Sequence, residues 1–201
     1  MSQPAPLDQE QLQRAQCYEL LASLYCAIPD DAMRQRLQQL KGGPQPEDSL
    51  ASAFWSLGDA AQRLSVEAID DEYHALFIGL GHGEVIPFAS KYIAGFMFEQ
   101  PLVDLRSDLK TLGIERLASV KEPEDHVSAV FESMGLLVRR EAHEFQHQFF
   151  NRHVVTWIRQ FTDDVRRAKH ADFYAHVANL TAQFIEFEQQ YFGQSPTGGR
   201  L

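Results

Sequence analysis

The sequence predicts an all-α fold, a single helical-bundle domain spanning residues 1–201, and three observations predict it. Apolar residues recur at three- and four-residue steps in several stretches, glycine and proline breakers separate those stretches, and no stretch alternates convincingly at period two. With 201 residues, 44% of them apolar and 23% charged, the chain has the profile of a soluble globular protein able to bury one sizeable core.

In the first stretch Tyr18, Leu21, Ala22, Tyr25 and Ile28 share one helical face. Lys41 to Pro46 is a glycine–proline loop, and a fresh helix after it carries Phe54, Trp55 and Leu57. A second loop, Gly79 to Pro87, is longer and more apolar than a simple connector, and residues 79–90 are the candidate hinge. Pro123 is expected at the first position of the next helix, where its missing N–H costs nothing. Glu124 and Asp125 then fall in the first turn, where negative charge suits the helix dipole. That helix continues through Val127, Val130, Phe131, Met134, Leu137 and Val138. A further stripe runs through Phe150, Val154, Trp157 and Phe161, and the most regular one through Phe173, Val177, Leu180, Phe184, Phe187 and Tyr191. Residues 193–201 are expected to be a frayed tail.

Charge and composition exclude several classes. A formal net charge of −10 argues against nucleic-acid binding, which needs a basic footprint, and suits a cationic partner. No apolar run approaches a membrane span, and Met1 to Glu10 lacks the basic and apolar regions of a secretory signal, so a cytoplasmic location is expected. Cys17 and Cys26 lie on one helix about 13 Å apart, beyond disulfide reach, and read as two small buried apolar residues. No strand precedes Gly79, Gly81 and Gly83, so they read as turn glycines and not as a phosphate loop.

One stretch imitates catalysis. His143-Glu144-Phe145-Gln146-His147 matches H-E-x-x-H, the zinc hydrolase helix, and His153 lies where some such enzymes place a third ligand. Those enzymes turn the chain at a glycine, but this chain has Phe150 there, within an apolar stripe. On a continuous helix His143 and His153 would sit about 15 Å apart along the axis and could not share an ion. The histidines therefore read as ordinary helix residues. A zinc metallohydrolase using His143, Glu144 and His147 is an alternative, and a helical adaptor subunit is another.

Two other stretches combine features that suit binding. Tyr73, Leu76 and Phe77 share a helical face that runs into the apolar loop, which continues to Pro87, Phe88, Ser90 and Tyr92. Glu122, Pro123, Asp125 and His126 precede a core helix. Together these residues resemble the TorD/DmsD family of redox-enzyme maturation chaperones. That family's pattern is an aromatic, two residues, Leu-Phe, a glycine loop, Pro-aromatic-x-Ser, and later Glu-Pro-x-Asp-His. Phe150, His153 and Trp157 are similar to the family's late H-x-x-x-W helix, which implies a structural role for His153. The likeness spans roughly residues 12 to 190. Some relatives carry tryptophan where this chain has Tyr73 and Phe88, and many have Gly-Pro at Gly79-Leu80.

The resemblance implies a non-enzymatic cytoplasmic chaperone with no resident cofactor. Its partners would be the twin-arginine leader and the apo-form of a molybdenum-containing oxidoreductase, a formate dehydrogenase or an enzyme of the DMSO/TMAO reductase type. It would assist cofactor insertion and delay export. Such a leader pairs basic residues with an apolar segment, so its receptor needs an apolar groove with an acidic rim. The implied leader-binding set is Tyr73, Leu76, Phe77, Pro87, Phe88, Ser90, Glu122, Pro123, Asp125 and His126. Asp125 would be an anionic contact for an arginine, and His126 a neighbouring polar contact. The expected state is a monomer or a domain-swapped dimer.

Overall fold

The computed structural model describes residues 8–79, 83–117, 120–140 and 143–194. Among these the chain is helical, and the one β-type pairing is an isolated antiparallel bridge between Phe88 and His126. The ten α-helices among the described residues are α1 (Gln9–Cys26), α2 (Asp31–Gln38), α3 (Ser49–Arg63), α4 (Val66–Tyr73), α5 (Ala89–Ala94), α6 (Gln100–Thr111), α7 (Val127–Arg139), α8 (His143–Phe149), α9 (Ile158–Arg167) and α10 (Phe173–Gln194). Five-residue π-helical turns follow α4 at His74–Ile78 and α8 at Phe150–Val154. The helices fall into two compact units, Met1–Ala27 with Pro87–Trp157, and Ile28–Ile86 with Ile158–Leu201.

In the first unit α1 packs along α7. Asp8 caps α1 by accepting from the Gln11 N–H at 2.8 Å, satisfying one of the N–H groups that a helix start leaves without a partner. The apolar stripe of α1 meets that of α7, with Tyr18 and Tyr25 tilted against the Phe131 ring at 6.0 and 6.3 Å. Arg14 is buried in this unit, and its guanidinium donates to Gln11 at 2.8 Å and to Gln146 of α8 at 3.1 Å. That pairing meets the requirement that a buried charge be hydrogen-bonded.

The second unit is built on α10, which packs on α3 and α9, while α2 packs on α3. Asp30, Asp48 and Ser65 cap α2, α3 and α4 with their side chains. Lys41, from the loop foreseen at 41–46, pairs with Asp59 at 2.5 Å and lies over the Trp55 ring at 5.0 Å.

Three local expectations are corrected. The helix placed at Pro123 begins at Val127, because His126 supplies the cap. Glu124 and Asp125 therefore precede the helix. The stripe from Phe150 to Phe161 is not one helix: it crosses the π turn and a turn at 155–157 before α9 starts. Cys17 is buried but Cys26 is exposed, since the latter ends α1 off its apolar face. Helix α10 runs to Gln194, and the remainder of the expected frayed tail lies outside the described residues.

Gly58 generates a test of the α3 packing. A Cβ added there would lie 2.6 Å from the Lys41 backbone nitrogen and 3.0 Å from the Leu37 carbonyl oxygen. Glycine-to-alanine inside a helix ordinarily stabilises by about 0.5–1 kcal/mol. Gly58→Ala should reverse that sign and cost on the order of 1–3 kcal/mol, read by denaturant unfolding.

Candidate functional site

The two stretches that carry the family pattern are divided between the units. In the first unit, the residues around Phe88 and those around His126 form one construction. Pro87–Ala89 runs antiparallel to 125–127, with the Ala89 N–H donating to the Asp125 carbonyl and the Val127 N–H to the Pro87 carbonyl, each at 2.9 Å. Proline fits at 87 because only its carbonyl is used there.

Asp125 is 1% exposed and Ser90 is fully buried. The Asp125 carboxylate accepts from the Ser90 N–H at 3.0 Å and also from the Ser90 hydroxyl. It thereby caps the first turn of α5 from a distant part of the chain.

His126 caps α7, with Nδ1 accepting from the Ser128 N–H at 3.2 Å, and its ring meets Phe88 edge-on at 5.0 Å. Accepting at Nδ1 requires the neutral ring. Burial supplies the same bias and pushes its pKa down to about 4.

The rest of this segment divides by exposure. Pro87 is buried, Phe88 and Pro123 are half-buried, and Glu122 is exposed. The Pro123 carbonyl accepts from the His126 N–H at 3.1 Å. Glu124 is held by Arg106 at 2.8 Å and Arg116 at 3.1 Å.

In the second unit Leu76 is fully buried, while Tyr73 and Phe77 are half-buried. The rings of Tyr73 and Phe77 meet at 5.2 Å, and both pack on Tyr174, at 5.6 and 5.2 Å. Ile78 beside them is 52% exposed.

Glu72 holds this group in place. Its carboxylate accepts from the N–H groups of Asp172, Phe173 and Tyr174 at 2.7–2.9 Å, capping α10. Burial pushes this carboxyl up while the three amides pull it down, and burial prevails.

The glycine loop also has a steric logic. Gly79 takes φ +54° at the end of the π turn, a region that favours glycine. A Cβ on Gly83 would lie 2.3 Å from the Leu76 carbonyl oxygen. Leu80, Gly81 and His82 lie outside the described residues.

The H-E-x-x-H residues do not gather. His143 and Glu144 are exposed, and the His147 Nε2 meets the Asn151 side-chain amide at 2.8 Å. His153 is buried and its Nε2 bonds to Asp108 at 2.7 Å. The Trp157 indole donates to the His153 carbonyl at 2.8 Å and stacks with Tyr92 at 5.7 Å. Among the described residues no group of three or more His, Cys, Asp or Glu could hold a metal ion. A groove of about 530 Å³, lined by Asp108, Leu112, Phe145, His147, Asn151 and Arg152 among others, contains none of the patterned binding residues.

Sequence reasoning missed Tyr174, which sits beside the α10 stripe and so carries no periodic signal. It also gave no role to Glu72, whose partners lie a hundred residues away.

These features define a helical protein with half-buried aromatic faces braced by internal carboxylates. The family model for the nitrate reductase delta subunit matches residues 44–163, more than half of the chain. The chain belongs to this family, and specifically to the TorD/DmsD redox-enzyme maturation chaperones. It is 23% identical over 205 residues to the chaperone protein TorD of Aliivibrio salmonicida, covering 89% of this chain and 94% of that one. It is 28% identical over 120 residues to a Tat proofreading chaperone DmsD of Haemophilus influenzae, covering 59% of each. A redox enzyme maturation protein of Archaeoglobus fulgidus shares the fold, with TM-score 0.57 and 16% identity over 94% of this chain and 98% of that one.

His126 gives a pH prediction. Its folded pKa of about 4 lies below the ordinary 6.5, so the neutral ring contributes stability fully above pH 6.5. That contribution is lost as pH falls from 6.5 toward 4, by at most about 3 kcal/mol. His126→Asn keeps a capping side chain and should flatten this part of the stability–pH curve measured by denaturant unfolding. An unchanged slope would show that His126 does not titrate in the folded state as described.

Proposed function

We propose that the chain is a cytoplasmic chaperone that binds the twin-arginine leader and apo-form of a molybdenum-containing oxidoreductase, without turnover. Its client would be a formate dehydrogenase or an enzyme of the DMSO/TMAO reductase type, held back from export while the cofactor is inserted. The observation that carries this reading is a shared construction. In each unit a buried carboxylate holds the family-patterned residues in place while aromatic side chains stay half-buried at the surface: Phe88 in one, Tyr73 and Phe77 in the other.

Preset aromatic edges suit a partner that brings an apolar segment, because rigid rings bind at small entropic cost. The net charge of −10 favours the basic end of such a leader. The TorD and DmsD names of the relatives support the same reading. Leu76, Pro87, Ser90, Pro123, Asp125 and His126 then contribute chiefly by holding the aromatic residues and the adjoining turn.

Calorimetric titration with a panel of twin-arginine leader peptides, alongside metal analysis, tests the proposal. Binding to one leader, weakened by lysine-for-arginine substitution, is the expected result and names the client. Failure of every leader together with stoichiometric zinc would return the function to His143, Glu144 and His147.

A further inference from the structure

The turn at 122–126 holds three acids in different states. Asp125 is buried and directed at Ser90, Glu124 is tied to Arg106 and Arg116, and Glu122 is exposed with no ion pair among the described residues. From this geometry we infer a division of labour: Asp125 is a positioning residue that acts through Ser90, and Glu122 is the carboxylate that meets the cationic part of the leader. The inference rests on the leader-binding reading and assigns its charge recognition to a different acid from the one the resemblance implies.

The buried carboxylate is poorly placed for an arginine. Reaching it would require breaking its two bonds to Ser90 and opening the Phe88–His126 bridge. A guanidinium would then have to enter a dry site. Its observed partners hold the start of α5 against the 125–127 segment, and this fixes Phe88 between them. Glu122 needs no rearrangement. It stands just before Pro123, whose carbonyl anchors His126, so the same turn that seats the aromatic edge also carries the free charge.

The two roles differ in their response to salt. An exposed ion pair is screened by added electrolyte, and a buried hydrogen-bonded latch is not. Leader affinity of the full chain would be titrated at low and high ionic strength for wild type, Glu122→Gln, Asp125→Asn, Ser90→Ala and the Asp125→Asn/Ser90→Ala double variant. Glu122→Gln should weaken binding roughly two- to five-fold at low salt and flatten the salt dependence. Asp125→Asn and Ser90→Ala should each weaken binding by the same factor at both ionic strengths. Combined, their losses should be less than the product of the two, because they break one latch.

Loss of the salt dependence in Asp125→Asn, or its full retention in Glu122→Gln, would overturn the assignment. If wild type binds no leader, the proposed function fails and the role of Glu122 with it. The same double-mutant comparison in thermal unfolding then decides the latch alone: coupled losses support it, and additive losses remove it.

Discussion

The constraint on which the first unit depends is that the Asp125 carboxylate, almost without solvent contact, must be met by hydrogen bonds. Ser90 meets it with both its N–H and its hydroxyl. Removing either partner would leave a buried polar group unsatisfied, at about 1–3 kcal/mol or more for a charge. With the latch closed, the 87–89 and 125–127 segments pair, His126 can cap α7, and Phe88 rests on its ring. Residues that look in sequence like two separate binding elements are thus one structural joint.

The second unit solves a comparable problem with Glu72. Its carboxylate gathers three consecutive amides at the start of α10, a position where a negative charge is also favoured by the helix dipole. The residue after it, Tyr73, is thereby set against Tyr174, and Phe77 completes the aromatic group across the π turn. In both units a buried acid caps a helix far along the chain and so seats a half-buried aromatic: Glu72 precedes Tyr73 and caps α10, and Asp125 caps α5, which Phe88 precedes. The aromatic edges are therefore as rigid as the helix ends to which they are tied.

Much of this was legible in the sequence, and the reasons are local. The stripes through Tyr18–Tyr25, Val127–Val138 and Phe173–Tyr191 marked α1, α7 and α10, because helical periodicity depends on near neighbours. What was illegible depends on distant partners. Asp125 reads in sequence as a first-turn acid of a helix at Pro123, yet a cap from His126 moves that start to Val127. Nothing near Asp125 in sequence announces that Ser90, thirty-five residues away, takes up its carboxylate. Tyr174 and Glu72 escaped for the same reason, as did the π turns, which leave no compositional mark.

Hydrogen–deuterium exchange of the free, full-length chain tests the central claim, that the latch is formed before any partner arrives. The Ala89, Ser90 and Val127 amides all donate within it, so peptides covering 87–91 and 124–128 should exchange as slowly as the middle of α7. They should lose that protection in Ser90→Ala. Exchange of these peptides in wild type as fast as that of the Phe96–Glu99 segment, exposed except at half-buried Met97, would contradict the account, since the joint would then be open in the unbound protein.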